Sequence, residues 1–184
     1  MQEGALIQVH TLGPTGTNCE AAARFWLCRR RDNGGTIVLH PSLESAVPAV
    51  LGTPGDAVLL ACVVYPRLHE IVFRNLAHME LRECFVMPTH RMVLATRSTS
   101  LTESSKLFGS IASHPAPVDL IADSEADVRM ARSNSEAAQI CARGETDGCI
   151  TTVVAANAND LAIVKDFGSV QMGFTIHADP KIDI

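Results

Sequence analysis

Hydrophobic and polar residues are arranged in blocks that predict strands and helices in turn along most of the chain. Residues 5–9 alternate as a strand does, and residues 57–64 form a continuous apolar run, typical of a parallel strand covered on both faces. Further strands are predicted at residues 36–40, 80–87, 92–96, 110–112, 127–131, 148–150, 161–165 and 170–177. The tail 178–184 is polar and is expected to be frayed. This alternation favours parallel α/β sheets, and the β-rich stretch 80–96 indicates that the chain crosses to a second lobe and later returns.

Four predicted helices begin at a Ser or Thr that directly follows a strand, namely Thr17, Ser113, Ser133 and Thr151. Residues 11–23 (TLGPTGTNCEAAA) show the pattern most clearly, because Gly16 breaks the strand and Thr17 and Glu20 have the spacing of a capping box. The first N–H groups of a helix and its dipole attract carboxylates and phosphates. Several such helix starts converging on one cleft predict a pocket for a small polyanion.

Composition and charge narrow the class of protein and of ligand. The 184 residues are 47% hydrophobic and 19% charged, as expected of a globular chain with one core or two small lobes. A net charge of −5 and 4% aromatic residues argue against nucleic-acid and anionic-membrane partners but leave room for an anionic small molecule. The sequence predicts no signal peptide, no transmembrane segment and a cytoplasmic location. Six cysteines without a CxxC pair and seven histidines without an HExxH motif predict reduced thiols and no metal site.

Two polar stretches are candidates for chemistry on position alone. Tyr65, Arg67 and His69 follow the strand 57–64, where ligand crevices lie in open α/β sheets, although a solvated loop is the alternative. His114 lies at the predicted helix entry after Ser113, where it either meets an anion or is simply structural. The Ser/Thr-rich connector 97–106 is either a lid, a crossover or an ordinary surface loop.

The ordered motifs resemble those of the prephenate dehydratase family over nearly the whole chain. Residues 11–23 resemble its Leu-Gly-Pro-x-Gly-Thr opening, residues 113–115 its Ser/Lys-His-Pro element and residues 133–138 its Ser-x-x-x-Ala-Ala helix start, while residues 147–150 and 161–177 resemble its later strands. The resemblance implies an α/β fold of two lobes, similar to a type II periplasmic binding protein, with prephenate in the cleft. Lobe 1 is expected at about residues 1–80 plus 165–184 and lobe 2 at about 81–164, with no regulatory domain and a homodimeric assembly.

Two departures from the family pattern change the expected reaction. Met172, Gly173 and Phe174 stand where the family's dehydratases carry Thr-Arg-Phe, and residues 65–69 stand where the family carries Glu-Asn-Ser. Without the hydroxyl donor, the ring hydroxyl of prephenate cannot leave, so the electrons released with CO₂ must be trapped by protonation of a ring carbon. This is the reaction of the family's non-aromatising prephenate decarboxylases, which serve bacilysin-type antibiotic biosynthesis. The alternatives are a dehydratase that makes phenylpyruvate and a catalytically inert protein that binds a prephenate-like ligand.

The resemblance also implies roles for individual residues, with no cofactor and no metal. Gly16, Thr17 and Asn18 are expected to hold one carboxylate, and residues 133–135 the pyruvyl end. The full set expected to bind substrate is Gly16, Thr17, Asn18, Ser113, Ser133, Asn134, Ser135, Met172, Gly173 and Phe174. The residues able to deliver the proton are His114, His69 and Tyr65, and the sequence leaves the choice among them open.

Overall fold

A computed structural model describes residues 6–30, 34–97 and 108–182. The chain divides into two compact units, each with its own sheet. Unit 1 comprises Met1–Met87 and Gln171–Ile184, and unit 2 comprises Pro88–Val170. The sequence analysis expected the boundaries somewhat earlier, near residues 80 and 165. Of the connector 97–106, only Arg97 lies within the described residues.

The described residues form ten strands and five α-helices. The strands are β1 (Ile7–Leu12), β2 (Gly35–His40), β3 (Ala57–Cys62), β4 (Glu80–Pro88), β5 (Met92–Thr96), β6 (Ser110–Ser113), β7 (Asp127–Met130), β8 (Gly148–Thr152), β9 (Ala162–Gly168) and β10 (Gln171–Ala178). The helices are α1 (Asn18–Arg29), α2 (Leu43–Gly52), α3 (Leu68–Arg74), α4 (Asn134–Ala142) and α5 (Val153–Ala158). None of the helices within the described ranges combines the length and the apolar character needed to cross a bilayer.

The two sheets share one plan. In unit 1 the strand order is β2-β1-β3-β10-β4, and in unit 2 it is β7-β6-β8-β5-β9. The second strand of each sheet, β1 or β6, pairs in parallel with both of its neighbours, and β10 or β5 then joins antiparallel to β3 or β8. Three parallel strands therefore end at the same edge of each sheet, and the loops that follow them carry the candidate residues.

Helices cover both faces of the sheet in unit 1. On the α1 face, Trp26 packs with Val9, Leu60 and Phe174 in one hydrophobic cluster. On the other face, residues of α2 pack on Leu59 and its neighbours in a second cluster. A fully buried side chain of this size contributes about 1.5–3 kcal/mol to folding, so these two clusters hold the sheet edge in place.

Two elements differ from the sequence prediction. After β6 the chain makes only a single 3-10 turn, Val118–Ile121, so Ser113 caps no helix. Its hydroxyl donates instead to the carbonyl of its neighbour His114 at 2.9 Å. Prolines at 115 and 117 explain this, since each lacks an N–H and disfavours helical backbone at the residue before it. The second difference is α3, a helix within a region interpreted as a loop. Its pattern of apolar residues covers only two turns, which is too short to predict a helix from the sequence.

The end of the chain is also more ordered than predicted. The sequence analysis expected a frayed tail after residue 178, but Ile182 is only 6% exposed and packs in the core of unit 1. The Arg82 guanidinium donates to the carbonyls of Asp179 and Pro180 at 3.1 and 2.9 Å. The prediction of fraying is therefore wrong as far as Ile182, because one apolar side chain and one arginine dock the segment.

Candidate active site

Thr17 caps α1 at the end of the loop that follows β1. Its hydroxyl oxygen accepts the backbone N–H of Glu20 at 3.2 Å, and the hydroxyl donates to the carbonyl of Leu12 at 3.1 Å. A hydroxyl has a single proton to donate. Because Leu12 takes that proton, Thr17 here fixes the loop against the end of β1.

The carboxylate of Glu20 folds back over the same loop. It accepts the N–H of Gly16 at 2.6 Å and pairs with Arg24 at 2.6 Å. Gly16 adopts a φ of 85°, the left-handed region that favours glycine, which turns its N–H towards the helix. The capping box predicted from Thr17 and Glu20 thus forms with a variation, because the carboxylate bonds the residue before the cap. The start of α1, where Asn18 is the first helical residue, already carries a negative charge.

Ser133 caps α4 in unit 2 with the same arrangement. Its hydroxyl oxygen accepts the N–H of Glu136 at 3.0 Å, and the Glu136 carboxylate accepts the N–H of Arg132 at 2.6 Å. Ser135, in the first turn, is buried. Both helices that the sequence analysis assigned to anion binding therefore begin with the same local structure.

Asn134 is the first residue of α4 and has an unused acceptor. Its backbone carbonyl accepts the hydroxyl of Thr151 at 2.6 Å, which ties the helix start to the end of β8. Its Nδ2 lies 4.0 Å from Sδ of Met92. The buried Oδ1 has no hydrogen-bond partner among the described residues. The side chain is thus oriented by its neighbours, while one polar atom is left for another group.

His114 follows β6 and is half-buried. Its Nδ1 accepts the N–H of Ala116 at 3.1 Å, so the neutral imidazole carries its proton on Nε2. Burial lowers the pKa of His114 below its usual value. At neutral pH this side chain is mainly uncharged, and its protonated form is a stronger acid than an exposed histidine.

Tyr65 is held by α2. Its hydroxyl donates to the carboxylate of Glu44 at 2.5 Å and accepts the N–H of Leu43 at 3.4 Å. Burial and the bond to Glu44 raise the pKa of Tyr65 to about 12. The phenol proton is therefore strongly held and is engaged by a carboxylate that the sequence analysis did not consider. Glu44 could have been noticed, because it stands in the first turn after the capping residue of α2.

The other two polar residues after β3 are at the surface. Arg67 pairs with Glu70 at 2.9 Å and lies 3.6 Å from the carboxylate of Glu44. His69 is exposed in the first turn of α3. Of the three residues predicted to deliver a proton, His114 combines a half-buried position with a lowered pKa.

The triplet at the start of β10 is divided between the core and the sheet edge. Phe174 is fully buried and stacks on Phe85 with ring centroids 5.8 Å apart. Met172 packs partly on the same cluster, and Gly173 lies against Val63. Phe174 therefore packs inside unit 1, whereas Met172 and Gly173 lie at the edge of the sheet where β3 ends. Val63 was not considered as a site residue, although it lies near the end of the apolar run 57–64.

A pair of histidines that the sequence did not single out lies on β1 and at the end of β2. Nδ1 of His10 lies 2.9 Å from Nε2 of His40, and His10 is only 4% exposed. Within the described residues, Nε2 of His10 has no partner. Burial lowers the pKa of both imidazoles. Because the carbonyl of His40 accepts the N–H of Gly13 at 2.7 Å, this pair supports the start of the Thr17 loop.

Comparisons with known sequences give consistent results over the full chain. The prephenate decarboxylase of Bacillus subtilis strain 168 is 29% identical over 187 residues, which cover 97% of this chain and 89% of that protein. The prephenate decarboxylase of Bacillus amyloliquefaciens is 26% identical over 186 residues, covering 96% and 89%. No family model matches the sequence.

Solved structures show the same fold at low sequence identity. The prephenate dehydratase of Staphylococcus aureus Mu50 superimposes with a TM-score of 0.67 at 14% identity, over 96% of this chain and 68% of that one. An arginine transport periplasmic binding protein of Legionella pneumophila gives a TM-score of 0.57 at 12% identity, over 96% and 86%.

The fold is therefore that of the α/β proteins with two sheets that include prephenate dehydratases and periplasmic binding proteins. The relatives found by sequence indicate more than the fold. They confirm the resemblance seen in the motifs, both to the prephenate dehydratase family and to its prephenate decarboxylase branch.

Proposed function

We propose that this protein decarboxylates prephenate and leaves the ring hydroxyl in place. The observation that carries the proposal is the similarity to prephenate decarboxylases over 97% of the chain. Met172 and Gly173 support it, because they bring neither a hydroxyl nor a guanidinium to the edge of the sheet in unit 1. The same relatives give no support to a dehydratase or to an inert binding protein.

The reaction balances without a cofactor. The bond between the quaternary ring carbon and the carboxylate breaks, CO₂ leaves, and the released electron pair forms a ring double bond. The π pair that it displaces takes a proton at a ring carbon, and the carbon–oxygen bond of the hydroxyl stays intact. A ring double bond next to the quaternary carbon accepts the electrons, so the protein has to bind the substrate, orient it and supply one proton.

We assign the proton to His114. Its imidazolium form is a stronger acid than usual because burial lowers its pKa, and the side chain is oriented by the hydrogen bond between Nδ1 and the N–H of Ala116. Tyr65 is a weaker candidate, since its proton is shared with Glu44 and its pKa is raised to about 12. His69 is exposed on α3 and has no comparable support.

The binding roles taken from the resemblance form part of this proposal. The loop at Gly16, Thr17 and Asn18 is assigned to a carboxylate, with Thr17 acting through the position of the loop. Residues 133–135 are assigned to the pyruvyl end. Oδ1 of Asn134, which has no hydrogen-bond partner among the described residues, can accept a hydrogen bond from a bound molecule there. A product destined for antibiotic biosynthesis, a homodimeric assembly and a cytoplasmic location also remain predictions from the sequence.

The test is to incubate the purified protein with prephenate and to identify the product by mass spectrometry and proton NMR. A product one water heavier than phenylpyruvate, with ring vinyl protons, is the expected result. Phenylpyruvate would make the protein a dehydratase, and unchanged prephenate would leave a binding protein or another substrate. Release of CO₂ alone does not discriminate, because both reactions evolve it.

A further inference from the structure

Val63 covers Gly173 at the edge of the sheet in unit 1. The N–H of Val63 donates to the carbonyl of Gly173 at 3.1 Å, which extends the pairing of β3 and β10 one residue beyond Cys62 and Phe174. The three atoms nearest to the position of a Cβ on residue 173 all belong to Val63, and its two methyl carbons lie there at 3.1 and 3.2 Å. A larger side chain at position 173 would therefore have to displace Val63.

The exposed part of Val63 adds an apolar surface to this edge of the sheet. Its side chain is 48% exposed, although it belongs to a class of residue that is usually buried. The neighbouring strand β1 ends in the Thr17 loop, and the hydroxyl of Thr11 donates to the carbonyl of Leu60 at 2.8 Å, which ties β1 to β3. One edge thus presents the Thr17 loop beside two methyl groups that are fixed by a backbone hydrogen bond.

We propose that Val63, packed over Gly173, determines the product by keeping water and hydrogen-bond donors away from the ring hydroxyl. This inference rests on the proposed decarboxylation of prephenate. The hydroxyl leaves only when a donor or acid supports the charge that develops on its oxygen, and methyl groups supply neither. The carbon–oxygen bond then stays intact, and the electron pair released with CO₂ forms a carbon–hydrogen bond on the ring. With a donor at this position, the carbon–oxygen bond breaks instead, and the hydroxyl leaves with a proton as water.

Val63→Thr is the informative variant, because threonine keeps the branched shape of valine and adds a hydroxyl at the same place. Val64→Thr is the matched control, since Val64 is the next residue, is 52% exposed and receives the same chemical change. With wild-type protein converting prephenate, Val63→Thr should raise the phenylpyruvate share of the product roughly tenfold or more. Val64→Thr should leave that share at the wild-type value.

Val63→Ala tests whether access of water alone, without an added hydrogen-bond donor, changes the product. It opens the space over Gly173 without a new hydroxyl, so it should raise the phenylpyruvate share less than Val63→Thr does. A wild-type product ratio in either active Val63 variant would overturn the inference while leaving the decarboxylase assignment intact. Wild-type protein that does not decarboxylate prephenate would instead refute the proposed function, and this inference would fall with it.

Discussion

The two units build the same sheet and place different chemistry at its edge. In unit 1 the second strand of the sheet, β1, leads into the twelve-residue helix α1, capped by Thr17. In unit 2 the second strand, β6, leads into His114 and a 3-10 turn, and the capped helix α4 follows the edge strand β7 instead. Equal strand order therefore does not determine which loop is followed by a capped helix and which carries the proposed acid, His114. The function has to be argued from the loops.

The helix starts of α1 and α4 agree in one feature, which argues against assuming that every capped helix start binds an anion. Glu20 in unit 1 and Glu136 in unit 2 both bond the N–H of the residue before the capping residue. A carboxylate in the first turn partly neutralises the helix dipole that would attract an anion. A strand, a glycine-rich turn and a capped helix are thus insufficient evidence for an anion site in this chain, and the binding assignments need a functional test.

The largest expected effect distinguishes the two candidate acids, His114 in unit 2 and Tyr65 in unit 1. His114→Gln should lower kcat by roughly 10²–10⁴-fold, the usual contribution of a general acid. Tyr65→Phe should leave kcat near the wild-type value, because the phenol proton is already engaged by Glu44. Steady-state assays of prephenate consumption measure both, and thermal unfolding confirms that each variant is folded.

The pH profile adds a readout that a merely structural role of His114 would not change. Wild-type kcat should fall as the pH rises through the lowered pKa of His114, because the imidazolium is lost, and His114→Gln should lack this dependence. Loss of activity in Tyr65→Phe with retention in His114→Gln would place the acid in unit 1.

The next effect compares helix caps with and without an assigned binding role. Thr17→Ala, Ser133→Ala and Ser42→Ala each remove a capping hydroxyl and should each cost about 1 kcal/mol, or about 2–4 °C in Tm. Only the first two should also raise KM for prephenate, since α2 carries no binding assignment. An equal KM in all three variants would reduce Thr17 and Ser133 to structural residues.

The sequence predicted the parts of this fold that depend on near neighbours. The caps at Thr17 and Ser133 follow from hydrogen bonds between residues three apart, and the sheets follow from runs of apolar residues. The contact of Val63 with Gly173 and the pair of His10 with His40 join distant parts of the chain, so no local pattern indicates them. The 3-10 turn at Val118–Ile121 is an intermediate case, because a proline favours the first turn of a helix as well as its interruption, and the local pattern does not distinguish the two.

The smallest expected effect compares the acid sensitivity of the two units. Burial lowers the pKa of His10, His40 and His177 in unit 1, and of His114 in unit 2. Below the ordinary histidine pKa of about 6.5, the unfolded chain binds protons that these folded side chains exclude, so the free energy of unfolding falls as the pH decreases. Above that pH, the histidines contribute no pH dependence. Unit 1 should therefore lose more stability in acid than unit 2.

His10→Leu removes one of these buried histidines. It removes the buried Nε2 that has no partner among the described residues, but also the hydrogen bond to His40 at 2.9 Å, so the change in stability near neutral pH should be small. The drop in Tm between about pH 7.5 and about pH 5 should become smaller than in wild-type protein, because fewer protons are taken up on unfolding. His78→Gln, a change at an exposed histidine, is the matched control and should keep the wild-type drop. An unchanged drop in His10→Leu would mean that the acid sensitivity comes from outside the His10–His40 pair, and the difference expected between the units would lose its physical basis.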